Sequence, residues 1–149
     1  MIALLQRVSE SRVVVDEEAI ATIDQGLMVL LGVEKGDREK GAERLMQRIL
    51  GYRVFPDDQG RMNRSLKDAG GGLLLVPQFT LAADTHKGTR PSFTPAAPPE
   101  EGERLFQHAL AFARNHHGPV EAGRFGAEMQ VSLTNTGPVT FWLSVPPTA

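Results

Sequence analysis

The stretch Gly26–Val33 reads GLMVLLGV, a near-continuous run of apolar residues that favour β-structure. Runs of this kind are typical of strands buried on both faces, since a strand with one wet face alternates apolar and polar residues. The run is far shorter than the roughly 20 apolar residues needed to cross a membrane. We therefore predict a central strand here, covered on both of its faces.

Further strand patterns lie on either side of this run along the chain. Upstream, Asp16–Glu18 is predicted as a turn, and strands are predicted for MIALLQRV, SRVVVD and AIATI. Downstream, Gly70–Gly72 leads into the strand-like segment LLLVPQFTLAA. Proline has no N–H to donate to a sheet, so Pro77 inside this segment indicates an edge, a bulge or a strand end.

Two alternating patterns, EMQVSL and VTFWLSV, lie close to the C-terminus. Alternation of apolar and polar residues is typical of strands with one covered face. We therefore predict a pair of strands, joined by the loop TNTGP.

Two long helices are predicted from apolar residues at helical spacing. The first begins after a plausible N-cap at Asp37 and stops at Gly51, with an apolar stripe of Ala42, Leu45, Met46, Ile49 and Leu50. The second runs from about Pro99 to His117, with an apolar stripe of Leu105, Phe106, Ala109, Phe112 and Ala113. Many strands and only two long helices predict one α/β domain over residues 1–149, with a largely antiparallel or mixed, barrel-like sheet.

Composition excludes several classes of protein. With 41% hydrophobic and 23% charged residues, the chain of 149 residues is normal for a globular domain. It has no cysteine, so a disulfide scaffold, a thiolate metal site and a cysteine nucleophile are excluded. A net charge of −2 argues against affinity that comes mainly from phosphate neutralisation. We expect a soluble, cytoplasmic protein without metal or cofactor.

Polar residues where the apolar segment around Pro77 runs out are candidates for chemistry. Gln78 and Thr80 flank Phe79, and α/β proteins often build sites where a buried strand ends. The alternative is structural: Thr80 is a β-forming residue whose side chain faces solvent, and Gln78 forms a hydrogen bond with a neighbouring loop. No base is identifiable near Thr80 in the sequence, and threonine is a poor nucleophile without one.

The pair Gly137–Pro138 opens the strand pattern VTFWLSV. Glycine adopts backbone conformations that other residues avoid, while proline fixes φ and permits a cis peptide bond. One interpretation is a loop at the end of a hairpin. The other is a rigid pair of backbone carbonyls presented to a partner.

The chain resembles the D-aminoacyl-tRNA deacylases (the D-tyrosyl-tRNA deacylase family) in four segments. These are MIALLQRVSESRV, GLMVLLGVEKGD, PQFTLAADTHKGTRPSF and GRFGAEMQVSLTNTGPVTFWL, and the resemblance extends over essentially the whole chain. The resemblance implies a homodimer with active sites at the subunit interface. It also implies cleavage of the ester between a D-amino acid and the terminal adenosine of tRNA, without a cofactor.

The resemblance also assigns residues. It implies that the Gly137–Pro138 bond is cis, that this pair enters the partner's pocket, and that Arg7 steadies it across the interface. Gln78, Phe79 and Thr80 match catalytic pocket residues, and Met129 matches a residue near the adenosine. Pro77 stands where the family usually has serine, so a serine nucleophile at this position cannot be essential here.

An aminoacyl ester is already activated, so an enzyme needs chiefly to position it and to stabilise an oxyanion. Backbone N–H groups around Phe79 and Thr80 are the candidate donors, and the resemblance favours help from the 2′-hydroxyl of the tRNA. Two alternatives stay open: a hydrolase with Thr80 as nucleophile, and a non-catalytic dimeric module that binds RNA or a metabolite. Rigid carbonyls beside the α-carbon would reject L side chains but not glycine, so glycyl-tRNA is an expected substrate.

Overall fold

The computed structural model describes residues 1–147, and β3 (Gly26–Gly32) lies inside its main sheet. β1 (Ile2–Val15) runs antiparallel along one edge of β3, and β6 (Gly72–Pro77) runs parallel along the other. Six of the seven β3 residues are buried. The predicted central strand with two covered faces is thus confirmed.

The sheet has the strand order β2-β1-β3-β6-β7, and β8 also pairs with β1. The other elements are β2 (Glu18–Ile23), α1 (Glu39–Gly51), β4 (Phe55–Pro56), β5 (Met62–Arg64), α2 (Leu66–Ala69), a 3-10 turn (Phe79–Ala82), α3 (Pro99–His116), β7 (Val120–Ala122) and β8 (Gln130–Ser144). Parallel and antiparallel pairs occur together, and the sheet curls into a nearly closed barrel. The predicted α/β class with a mixed, barrel-like sheet is confirmed.

Each face of the sheet carries its own apolar core. α1 and α3 cover one face, and the whole predicted stripe of α1 is buried there. In α3 the predicted stripe is buried except for Phe112, which is half-buried. The other face is closed by β2 and the first half of β8. Within residues 1–147, no helix is long and apolar enough to span a membrane.

The predicted N-cap of α1 is wrong. Arg38 occupies the cap position and makes no side-chain cap bond. The Asp37 carboxylate instead accepts hydrogen bonds from the Glu34 N–H at 2.7 Å and the Met1 amino nitrogen at 2.9 Å. A buried carboxylate takes the strongest donors available to it, and here those lie in the preceding turn and on Met1.

β1 is one continuous strand where the sequence suggested two. Its first half pairs with β3, its second half pairs with β2, and β8 follows it along almost its entire length. The turn into β2 is made by Asp16 and Glu17, which both have positive φ angles. Pairing with β2, β3 and β8 keeps β1 extended through its polar middle, Ser9–Ser11.

The predicted C-terminal pair of strands is also wrong. Residues 130–144 form the single strand β8, which stays antiparallel to β1 throughout. The register shifts between the pairs Gln6–Thr140 and Val8–Asn135, so the four residues 136–139 of β8 lie opposite Arg7 alone on β1. The Gly-Pro segment is therefore a bulge that leaves the strand and returns to the same partner.

Pro77 closes β6, which confirms the strand end as one of its three predicted roles. The Gln78 N–H donates to the Leu31 carbonyl of β3 at 2.8 Å, so the nitrogen of Pro77 faces the opposite side, towards β7. β7 ends opposite Leu75. Proline is thus accommodated at the last residue of β6, where the regular pairing with β7 has already ended.

Candidate active site

A pocket of about 750 Å³ opens where β6 ends, beside the N-terminus of α3 and the start of β8. Four of the predicted site residues line it: Pro77, Gln78, Phe79 and Met129. Much of the remaining wall is apolar, contributed by Leu31, Val33, Val76, Phe93, Phe106, Phe125, Ala127 and Val131. An apolar concave site with few polar groups is the usual form of a small-molecule or nucleoside site.

Gln78 and Thr80 are joined to each other. The Gln78 side-chain amide donates to the Thr80 hydroxyl oxygen, and Thr80 itself is exposed and does not line the pocket. Within the described residues, the backbone N–H groups of Phe79 and Thr80 have no protein acceptor. They belong to the first turn of the 3-10 segment, where N–H groups have no partner within the helix. Two unpaired donors thus lie directly after β6.

The long loop from Asp84 to Pro98 reaches the pocket through Phe93. Its ring packs on Phe79 with the centroids 5.3 Å apart, and both rings are about half-exposed. Two backbone hydrogen bonds between Asp84 and Ser92 close the loop. The His86 N–H donates to the Asp84 carboxylate, which holds the pKa of that carboxyl below its usual value.

The bulge of β8 carries the exposed pair Gly137–Pro138, joined by a cis peptide bond. Arg7 of the same chain fixes its base: the Arg7 Nε donates to the Thr136 carbonyl at 3.0 Å. The Arg7 Nη1 donates to the Val54 carbonyl at 2.8 Å, which ties the bulge to the segment after α1. The structure thus shows Arg7 supporting the bulge of its own subunit.

Asn135 closes the bulge from within. Its side-chain oxygen accepts the Val139 N–H at 2.7 Å, and its amide donates to the Val139 carbonyl and to the Thr140 hydroxyl. Backbone groups that lost their β1 partner are satisfied in this way. The bulge is held in one shape although its tip is exposed.

The predicted site residues fall into two separate groups in one chain. Arg7, Gly137 and Pro138 do not line the pocket that holds Met129 and Gln78. Near the pocket, Gln130 pairs with Val14 of β1, whereas the bulge lies beside Arg7, seven residues along β1. Measured along β1 this is about 23 Å at roughly 3.3 Å per residue, and the straight-line distance is shorter because the strand curves.

Sequence reasoning missed part of the pocket wall. Phe106 and Phe125 come from α3 and the segment before β8, and no local pattern links them to Gln78. Lys35 was also missed, and it is the one ionisable side chain among the described residues that line the pocket. The sequence offered one signal for it, a charged residue soon after a buried strand.

The histidine pair His116–His117 at the end of α3 contacts other parts of the protein. The His116 ring stacks on Phe112, and the half-buried His117 side chain bonds to the Gly71 carbonyl at 2.7 Å. Within residues 1–147, no group of three or more histidine, aspartate or glutamate side chains is placed to hold a metal ion.

The fold and this site can be compared with known proteins. The family model described as D-Tyr-tRNA(Tyr) deacylase matches residues 4–144. The chain belongs to the D-Tyr-tRNA(Tyr) deacylase family. It is 62% identical over 149 residues to the D-aminoacyl-tRNA deacylase of Alkalilimnicola ehrlichii, covering 100% of this chain and 99% of that protein. It is 63% identical over 147 residues to that of Thioalkalivibrio sulfidiphilus, covering 99% of both.

Solved structures agree on the deacylase fold. The structure titled c-Myc DNA Unwinding Element Binding Protein superposes with a TM-score of 0.94 at 39% identity, over 98% of this chain and 99% of that one. A probable eukaryotic D-amino acid tRNA deacylase superposes with a TM-score of 0.80 over 97% and 98%, and at 16% identity it supports the fold alone.

Membership of the deacylase family fixes the class of reaction. The protein is a hydrolase that acts on the ester bond of D-aminoacyl-tRNA, so tRNA is its substrate. The alternative of a non-catalytic binding module is thereby set aside. Which residues of the pocket and the bulge carry the reaction is a separate question.

Proposed function

We propose that each active site of this deacylase combines the pocket of one subunit with the Gly137–Pro138 bulge of a second subunit in a homodimer. The separation of the two groups in one chain carries this proposal: the pocket lacks the bulge, and the bulge projects into solvent. Each half is incomplete alone. We place the enzyme in the cytoplasm, where aminoacyl-tRNA is made and used.

The surface around the bulge has features of a subunit interface. Among the described residues β8 pairs with β1 alone, so its other edge is open. Trp142, a few residues beyond the bulge on β8, is 60% exposed. Open strand edges and exposed large apolar side chains are surfaces that another protein chain commonly covers. We expect Arg7 to act at this interface as well as within its own chain.

The pocket is proposed to hold the terminal adenosine and its aminoacyl group, with Met129 beside the adenosine. The bulge then stands against the α-carbon, where its rigid backbone leaves no room for an L side chain. Arg7 and Asn135 supply the rigidity through the hydrogen bonds described above. Because selection acts at the α-carbon, a wide range of D side chains should be accepted.

Glycyl-tRNA tests this steric account. Glycine has no side chain to collide with the bulge, so we expect hydrolysis of glycyl-tRNA at a rate no more than about 10–200-fold below that of D-alanyl-tRNA, the range over which one methylene changes selectivity. L-alanyl-tRNA is the control and should be stable under the same conditions. If glycyl-tRNA were as stable as L-alanyl-tRNA, rejection would not depend on a side-chain collision.

Catalysis is proposed to rest on backbone N–H groups and on the substrate itself. The unpaired N–H groups of Phe79 and Thr80 are the donors proposed for the developing oxyanion, a role in which one donor contributes about 10²–10³-fold. Gln78 orients Thr80 and this turn through its side-chain hydrogen bond. The 2′-hydroxyl of the terminal ribose is proposed to assist attack on the ester.

Mixed dimers test the two-subunit site directly. Ala127→Trp places an indole in the pocket, and Gly137→Ala distorts the bulge, so each homodimer should lose activity. A heterodimer of the two variants, purified with two different tags, should recover about half of the wild-type activity. Each site takes its pocket from one subunit and its bulge from the other. In this heterodimer one site therefore contains both substitutions, and the other site contains neither and is active.

The reciprocal heterodimer is the control for this experiment. A wild-type subunit paired with a subunit that carries both substitutions should be inactive, because each site then contains one change. If the site lay within one chain, the results of the two heterodimers would be exchanged. The comparison of the two heterodimers therefore decides between the two arrangements.

A further inference from the structure

We propose that the ammonium group of Lys35 binds the phosphate that joins the terminal adenosine to the rest of the tRNA. This inference rests on the proposed use of the pocket for the 3′ end. Among the described residues that line the pocket, Lys35 alone is ionisable, and the others are apolar or, in Gln78, an amide. A nucleoside inside such a pocket must leave its 5′-phosphate at the rim, where a single cation would fix its position.

Lys35 is held at the corner of a tight turn. The Asp37 N–H donates to the Glu34 carbonyl at 3.1 Å, and the Asp37 carboxylate accepts the Glu34 N–H. Gly36 has a φ of +86°, which a type II turn requires at its third position. The Lys35 N–H donates to the Pro95 carbonyl at 2.9 Å, which ties the turn to the loop that carries Phe93. The backbone of Lys35 is thus fixed against the pocket while its side chain is exposed.

The charge of Lys35 is available for a ligand. Within residues 1–147 no carboxylate forms an ion pair with it. The two nearest acids in sequence, Glu34 and Asp37, are engaged with the Met1 amino nitrogen at 2.9 Å each. A lysine side chain is a compact charge on a flexible stem, a common binder of phosphate. Arg64 does not line the pocket, and its guanidinium donates to the Asp68 carbonyl.

Two small substrates isolate this contact: D-alanyl-adenosine, and D-alanyl-adenosine that carries a 5′-phosphate. The wild-type enzyme should show a KM about tenfold lower for the phosphorylated substrate, the size expected for one charge-assisted hydrogen bond. Lys35→Gln should abolish this preference and leave the KM for D-alanyl-adenosine within about twofold. Both kcat values should change little, because the phosphate is not a reacting group.

Full-length substrate gives an independent readout. With D-alanyl-tRNA, Lys35→Gln should make the plot of log(kcat/KM) against log(salt) shallower by about 0.7, the contribution of one phosphate in a single strand. Lys35→Arg should restore most of the slope and of the phosphate preference. Lys40→Gln, which removes the same charge from an exposed position outside the pocket, should behave like the wild type.

Three outcomes would overturn the inference. In the first, Lys35→Gln keeps the tenfold phosphate preference. In the second, it raises the KM of both small substrates equally, which would mean a role in folding or in the pocket itself. In the third, it matches Lys40→Gln in salt dependence. Failure of the proposed function looks different, since the wild-type enzyme would then hydrolyse neither small substrate. Loss of the Lys35 contact alone would leave wild-type hydrolysis of D-alanyl-adenosine intact.

Discussion

Gly137→Ala is expected to lower kcat/KM for D-aminoacyl-tRNA by about 100-fold, since a displacement of about 1 Å in a positioning element can cost this much. A Cβ atom on Gly137 would lie 2.7 Å from the Val139 Cγ2 and 3.2 Å from the Arg7 Nη2. The Gly137 φ of +141° is a further strain for any residue with a side chain. The bulge must therefore move, and the Arg7 bond to its base moves with it.

Gly60→Ala is the matched control for this variant. Gly60 also has a positive φ, +79°, but an added Cβ would meet nothing within 4 Å. It shares the backbone strain, of order 1–3 kcal/mol, without the crowding. We expect it to lower the free energy of unfolding by a similar amount and to leave kcat/KM within about twofold of wild type. Unchanged kcat/KM in Gly137→Ala would show that the bulge does not act in the active site.

The parts of the fold that could be predicted are those fixed by local periodicity. The apolar stripe of α1 and the apolar run of β3 are buried whichever elements pack on them, so the spacing of their apolar residues is enough to predict the helix and the strand. The bulge was mistaken for a hairpin end because Gly137–Pro138 suits both. What decides between them is the return of residues 140–144 to β1 and the Asn135 bonds, and both are contacts that the local pattern does not contain.

The same contrast between local pattern and distant contacts applies to the candidate site. Gln78, Phe79 and Thr80 are adjacent in sequence, so a resemblance between motifs was enough to predict them together, and the structure places Gln78 and Phe79 in the pocket wall. Lys35 reaches the pocket only because the Glu34–Asp37 turn is tied to Pro95, about sixty residues later in the chain. Asp37 was wrongly predicted as a helix cap for a related reason. A propensity for capping is weak beside the demand of a buried carboxylate for donors.

A substrate that ends in 2′-deoxyadenosine is expected to be hydrolysed about 1000-fold more slowly, within the range of about 10²–10⁴ that a proton-transfer group contributes. The described residues that line the pocket include no histidine, aspartate or glutamate, so the wall contains no carboxylate or imidazole base. The Thr80 oxygen faces the Gln78 amide, and an amide cannot take up a proton. Pro77 also has no hydroxyl, so the 2′-hydroxyl of the substrate is the group that we propose assists attack.

Thr80→Ala provides the opposing measurement, with D-aminoacyl-tRNA that retains its 2′-hydroxyl. We expect a loss of less than about tenfold, because Thr80 then contributes only through its hydrogen bond to Gln78. Removal of a true nucleophile costs about 10⁶-fold in a hydrolase. Thr80→Val, which keeps the shape of the side chain, separates packing from the hydroxyl. If both variants lost about 10⁶-fold in kcat while the wild-type enzyme still cleaved the 2′-deoxy substrate, Thr80 would be the nucleophile and the 2′-hydroxyl would not take part in catalysis.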